Sequence, residues 1–224
     1  MGTLDLDYML GLVPVLLRYL PLTLGMALAA MVLALVLAVL LAMVRVLRLP
    51  LLDQAVQAFV SFFRGTPLLV QLFLFYYGLP QIVEAFRAID GITAALAGLT
   101  LHFAAYMAES IRAAVLGVDR SQWEASQAVG MTQVQAMRRI ILPQAARIAA
   151  PTLLNYFIDM IKATSLAFTL GVTEMMGAAQ KEAAGSFRYF EAFLLVAIFY
   201  WVVVELLSIA QRRLEGQLNR AFAR

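Results

Sequence analysis

Cysteine is absent from the 224-residue sequence. Disulfides and cysteine-based metal or redox centres are therefore excluded. Histidine is nearly absent, and His102 alone cannot build a zinc site. It reads as a packed polar residue rather than a catalytic base. Charge is scarce: 14% of residues are Asp, Glu, Lys or Arg, against about 25% in ordinary soluble domains. No Gly-Lys dipeptide occurs, which removes the phosphate-binding loop of nucleotide hydrolases. HExxH and GxSxG are missing as well. No cleavable signal peptide is expected, because Asp5 and Asp7 stand where a basic segment belongs. The first apolar run is expected to remain as an uncleaved anchor.

Apolar residues make up 63% of the chain, and the mean hydropathy is +0.84. They are concentrated: residues 19–44, 65–83 and 91–108 carry no charge. A bilayer core of ~30 Å needs ~20 helical residues, and 19–44 would reach about 39 Å as a helix, so a tilt is expected. Five spans are predicted, roughly 19–44, 55–80, 94–117, 152–174 and 190–211, with Asp159, Lys162 and Glu174 interrupting the fourth. Polar connections are expected at 81–93 and 175–189. The fold class is all-α, a polytopic membrane protein. No repeat or linker divides the chain, so residues 1–224 read as one transmembrane domain.

Lys and Arg counts in the flanking segments set orientation. One side receives Arg45, Arg48, Arg120, Arg138, Arg139, Arg147, Arg212, Arg213, Arg220 and Arg224; the other receives Arg18, Arg87, Lys181 and Arg188. Ten against four places the loop at about 118–150 and the C-terminus in the cytoplasm and the N-terminus outside. The net charge of +3 then reflects topology, and nothing points to nucleic acid.

The loop is structured. Ser121-Gln122-Trp123-Glu124 and Thr132-Gln133-Val134-Gln135 read as two capping boxes. Gly130 suits the left-handed position that ends a helix, and Pro143 is expected to close the second one. Trp123, Ala125, Ala128 and Val129 offer a small apolar surface, and Arg138 and Arg139 a basic one. On the residues alone, this could be an amphipathic hairpin lying on the membrane, or a feature gripped by another protein.

The spacing Glu124-Ala125-Ser126, Gly130, Ile140, Leu142-Pro143 resembles the EAA loop of ABC importer permeases. Phe63 to Leu68 reads FRGTPL, Ala105 to Arg112 reads AYMAESIR, and Asn155 to Leu166 reads NYFIDMIKATSL. All three are similar to segments of polar amino acid permeases, and Tyr76 to Pro80 and Gln122 to Ala125 resemble cystine-type members in particular. The resemblance implies a type I importer permease fold in the bacterial inner membrane. It implies a transport subunit rather than an enzyme, with no cofactor of its own and ATP bound by a partner. The implied partners are an ATP-hydrolysing subunit dimer, an extracytoplasmic amino acid-binding protein and a second permease copy, a homodimer favoured over a heterodimer. Trp123, Glu124, Ala125, Gly130 and Arg138 would couple to the ATPase. The implied substrate is a polar amino acid, with L-cystine favoured and arginine, histidine or glutamine as alternatives.

Ionisable residues at membrane depth cost at least ~2.5–3.5 kcal/mol and so point to function. Glu109 and Arg112 share a helix face and read either as a self-neutralising pair or as a substrate or gate contact. Asn155, Asp159 and Lys162 share another. Asp159 could receive the ammonium of a zwitterion and Lys162 its carboxylate, with Asn155, Thr164 and Ser165 adding hydrogen bonds; the alternative is an internal salt bridge. Many permeases of this family carry an acid directly after the Lys, where this chain has Ala163. Glu174 reads as a gate residue or an interfacial acid. Competing classes are an intramembrane enzyme using Glu109, Asp159 or His102, and an inert structural subunit. The first lacks any recognisable catalytic arrangement, and ATPase stimulation by a binding protein would separate a transport subunit from both.

Overall fold

The computed structural model describes residues 4–220, and all regular structure among them is helical. Helix α1 (Leu6–Val46) runs for 41 residues, about 61 Å. That is twice the ~30 Å of a hydrocarbon core. The span expected at 19–44 is therefore the inner part of a longer helix. Its start was hidden by Asp5, Asp7, Pro14 and Arg18, all of which look like breakers or loop residues. Asp5 is in fact the N-cap, its carboxylate accepting the Tyr8 N–H at 2.8 Å. Pro14 and Pro21 are carried inside the helix. Helices Met175–Ser186 and Tyr189–Arg220 pack on this first stretch through Met9, Leu12 and Leu16.

Along its inner part α1 has two faces. Ala27, Ala30, Ala34, Ala38 and Ala42 are fully buried and meet Leu99, Phe103, Ala104, Met107 and Ala108 of α4 (Gly91–Leu116). Lipid tails are as apolar as any side chain, so helix association in a bilayer relies on close packing, which small residues permit. The opposite face, with Leu28, Val32, Val36 and Leu40, is exposed and suits lipid.

The single span expected over 55–80 is a bent pair. α2 (Pro50–Gly65) and α3 (Leu68–Ile82) meet at 109°. The break falls at Thr66-Pro67, since Pro67 has no N–H to continue a helix. Gln71 fixes the bend. Its buried amide donates to Phe63 O at 3.0 Å and to Thr66 O and Oγ1 at 3.1 and 2.8 Å. The carbonyls at the end of α2 are thereby satisfied without water. His102 on α4 lies 3.0 Å from Gln71 Oε1 through Nδ1, so the lone histidine holds the bend. Gly98 lets α3 approach α4: a Cβ there would stand 2.4 Å from Leu72 Cδ2.

α4 leads to a hairpin, α5 (Arg120–Ala128) and α6 (Gln133–Ala136), then to a π turn (Met137–Ile141) and α7 (Leu142–Ala163). A 3₁₀ stretch follows at Thr164–Leu170, then α8 (Met175–Ser186) and α9 (Tyr189–Arg220). The fourth span, expected at 152–174, thus starts ten residues earlier than predicted. The connection expected at 175–189 is mostly helix α8, whose small residues Gly177, Ala178, Ala179 and Ala183 are buried; its charges Lys181 and Glu182 sit on a helix rather than in a loop.

Among the described residues three helices are long and apolar enough to cross a membrane: α1, α4 and Tyr189–Arg213 of α9. The α2–α3 pair makes a fourth if counted as one span. α7 falls short because Arg147, Asp159 and Lys162 interrupt it. It packs against α1, α4 and α9, so among the described residues three helices, or four with the bent pair, have the length and composition of a span where five were expected.

Glu174 is a buried helix cap rather than an interfacial acid. Its fully buried carboxylate caps α8, accepting the Gly177 N–H at 2.8 Å, Tyr200 Oη at 3.0 Å and Thr23 Oγ1 at 3.2 Å. Three helices are tied by one side chain, and the positive end of α8 favours its charge. At this same end of the bundle Asp5 pairs with Arg188. The hairpin lies at the opposite end, against the last turns of α1 and α4.

Candidate functional site

The hairpin is built by local chemistry. Asp119, rather than Ser121, caps α5: its carboxylate accepts the Ser121 N–H at 2.8 Å. That bond holds the Asp119 carboxyl below the usual carboxylate range. Ser121 already lies inside the helix, and Glu124 pairs instead with Arg120 at 3.1 Å, one turn back. The second capping box forms as predicted, with Gln135 N–H donating to Thr132 Oγ1 at 3.3 Å and Thr132 N–H to Gln135 Oε1 at 3.0 Å. Between the helices Gly130 has φ +78°. Gly130 N–H donates to Gln127 O at 2.9 Å and Met131 N–H to Ser126 O at 3.0 Å, the bonding pattern of a left-handed helix stop.

Pro143 does not end α6. The π turn places Leu142 N–H on Met137 O, one residue further back than in an α-helix. The chain then enters α7, where a proline in the first turn has no N–H to satisfy.

The expected apolar surface divides between two faces of α5. Ala125, Ala128 and Val129 are exposed, whereas Trp123 turns inward against Val115, Val118 and Ile141. Glu124 and Gly130 are exposed with the outer face. Arg138 is exposed on the π turn and makes no ion pair among the described residues. The five coupling candidates thus present Glu124, Ala125, Gly130 and Arg138 to the surface and bury part of Trp123.

Two charge clusters lie along the bundle. Glu109 accepts from Arg112 at 2.9 Å and from Arg45, which also reaches Asp53 at 3.4 Å. This network joins α1, α2 and α4. In the sequence Arg45 enters only the count that sets topology, and its place directly after the charge-free run 19–44 is the signal that could have found it.

The second cluster lies on α7. Lys162 Nζ and Asp159 Oδ1 are 2.7 Å apart, and both side chains are more than half exposed, at 55% and 52%. Asn155 is exposed on the same face and accepts from Gln211 of α9 at 2.9 Å. Thr164 does not join them. It is fully buried and its hydroxyl donates to Ile161 O at 2.7 Å. Ser165 donates to Lys162 O at 2.6 Å, and Glu109 belongs to the other cluster. Of the six substrate candidates the structure therefore groups Asn155, Asp159 and Lys162. No cluster able to hold a metal occurs among the described residues.

Residues 30–220 match the family described as the binding-protein-dependent transport system inner membrane component. The chain is 63% identical over 220 residues to the probable amino-acid ABC transporter permease protein PatM of Vibrio harveyi, covering 98% of this chain and 99% of that one. It is 37% identical over 224 residues to the L-cystine transport system permease protein TcyL of Bacillus subtilis, covering 96% and 94%. A chain in a crystal structure of an amino acid ABC transporter with histidines superposes with a TM-score of 0.90 at 31% identity, over 96% of this chain and all of that one. The chain belongs to the binding-protein-dependent transport system inner membrane components and is the permease subunit of an amino-acid ABC transporter.

Proposed function

We propose that this permease carries a polar amino acid along the exposed face of α7, with L-cystine as the leading substrate. The observation that supports this is the Asp159–Lys162 pair. Both side chains are more than half exposed on one chain, yet α7 packs against the spanning helices α1, α4 and α9. Lipid is a costly neighbour for such a pair. A second copy of the chain, enclosing an aqueous passage between the two α7 faces, removes that cost. A free zwitterion would meet an acceptor in Asp159, a donor in Lys162 and an amide in Asn155. The name of the Bacillus relative, 37% identical, supports cystine; arginine, histidine and glutamine are the alternatives.

In this reading ATP is bound by separate subunits that dock on the outer face of the hairpin, at Glu124, Ala125 and Gly130. A binding protein delivers substrate at the opposite end. The hairpin and the C-terminus face the cytoplasm and the N-terminus faces outward, consistent with the ten-to-four Lys and Arg asymmetry. ATP-driven approach of the two ATPases would rock the bundles and alternate access.

Uptake into proteoliposomes carrying the permease, ATPase and binding protein tests the reading. Cystine uptake, competed by unlabelled cystine, is the expected result. Uptake of arginine, histidine or glutamine in its place would correct the substrate, and uptake of no amino acid would end the proposal. The orientation is tested by introducing Gln122→Cys into this cysteine-free chain; labelling from outside intact cells would invert it.

A further inference from the structure

A cavity of about 760 Å³ lies beneath the hairpin and has no role in the transport cycle described above. Its walls are apolar: Met43 and Val46 at the end of α1, Leu116 at the end of α4 and Val118 just past it, Trp123 of α5 and Met137 of the π turn. Its rim carries Arg120, Arg138 and Gln133. Leu116, Leu47 and Val134, which also line it, are exposed at 64%, 59% and 75%. Apolar groups left this open at one place mark a surface that something covers.

The position narrows what that is. α1 and α4 are both long and apolar enough to cross a membrane, and the cavity opens where both end. The charge narrows it further. Arg138 makes no ion pair among the described residues, and Arg120 is held only by the exposed Glu124. An inorganic anion would satisfy Arg138 and leave the walls bare. A neutral lipid tail would cover the walls and leave Arg138 unanswered. An amphiphile with an anionic head and an apolar chain answers both. The volume lies within the ~300–1,000 Å³ usual for small-molecule pockets. Basic pockets between spanning helices take anionic headgroups in this manner.

We propose that the cavity binds an anionic phospholipid, its acyl chain along Met43, Val46, Leu116 and Trp123 and its phosphate on Arg138 beside Arg120. The lipid would wedge the inner face of α5 while the outer face, with Ala125 and Val129, stays free for the ATPase. It would thus fix the height of the hairpin above the bundle.

The test uses the assembled complex of permease and ATPase subunits, taken from vesicles of phosphatidylcholine mixed with phosphatidylglycerol. Native mass spectrometry counts the lipids retained after mild delipidation. Wild type should retain phosphatidylglycerol in preference to phosphatidylcholine. Arg138→Gln should lower that retention about tenfold, equivalent to ~1.4 kcal/mol. Leu116→Trp fills the cavity from an exposed position and should lower it as much without disturbing folding. Arg139→Gln removes a neighbouring cation outside the cavity lining and should change nothing. Unchanged retention in both Arg138→Gln and Leu116→Trp overturns the proposal. Loss in Arg138→Gln alone leaves a bare anion site and overturns it too. Retention by the permease alone that disappears on adding the ATPase assigns the cavity to that partner and has the same consequence.

Discussion

The two charge clusters contain the same chemistry and differ in what they hold. Glu109 and Arg45 are 18% and 19% exposed and bond across α1, α2 and α4. Asp159 and Lys162 are more than half exposed and bond only to each other, three residues apart on α7. The first cluster ties helices together. The second ties nothing together and can exchange its internal partner for another. Charge at membrane depth is therefore informative only once its partners are known.

The largest expected effect falls on the first cluster. Glu109→Ala leaves Arg45 and Arg112 partly buried without their shared acceptor, while Asp53 still answers Arg45. Breaking such a network costs about 3 kcal/mol. The melting temperature of the purified chain should drop, and less protein should reach the membrane. An unchanged melting temperature would erase the difference between the clusters.

Asp159→Asn and Lys162→Met should leave melting almost untouched, because an exposed ion pair three residues apart contributes only ~0–1 kcal/mol. Substrate use should suffer instead. We expect the concentration for half-maximal uptake to rise about tenfold, which corresponds to ~1.4 kcal/mol of lost binding. Unchanged uptake with a lowered melting temperature would show that this pair, too, is structural.

How far the sequence anticipates this molecule follows the same division. Strong local signals survive into the structure: the charge-free runs as helices, the Thr132–Gln135 box, the left-handed Gly130. Tertiary context overrides weak ones. Glu174 looks like a flaw in a span until Thr23 and Tyr200 arrive from helices far away in sequence. The bend after Gly65 is foreshadowed by Pro67, but Gln71, which makes it stable, looks like any polar residue in an apolar run. Trp123 belongs to an apolar patch in the sequence and to the opposite face of α5 in space. Thr164 has the right residue type for a ligand, but its hydroxyl is already used by its own backbone. Periodicity reports which residues share a face, but not what that face meets.

The hairpin extends the comparison to a third pair. Arg120 and Glu124 are 91% and 65% exposed, so they resemble Asp159 and Lys162 in contributing little to stability. The hairpin's shape rests on its caps and on Gly130. No atom outside the immediate chain lies within 4 Å of a Cβ built on Gly130, so Gly130→Ala meets no clash. Its cost is the left-handed backbone alone, about 1 kcal/mol. The prediction is a hairpin that still folds but populates its turn less, with lower substrate-stimulated ATPase activity in the assembled complex. Gly130→Val, with a branched Cβ, should do worse. Full stimulation in both would show that the turn does not transmit the ATPase stroke.

The smallest effect concerns Asp119, and it separates capping from ion pairing within the hairpin. Its carboxylate accepts the Ser121 N–H and has no ion-pair partner among the described residues, and this bond lowers its pKa. A group whose folded pKa is depressed stabilises the fold above its unfolded pKa, and the contribution disappears as pH falls through the folded value. The cap should therefore be complete at neutral pH and weaken only below the ordinary carboxylate value of about 4. Hydrogen-exchange protection in the first turn of α5 reads this directly. Wild type should lose protection there in acid. Asp119→Asn keeps an oxygen acceptor and should hold its protection with no acid-dependent loss, while Asp119→Ala should be less protected at every pH. If the alanine variant protects the first turn as well as wild type, the start of α5 is held by packing of Trp123 rather than by its cap. The hairpin would then belong with the Glu109 network, as a part fixed by tertiary contact, and not with the exposed pairs whose work lies outside the chain.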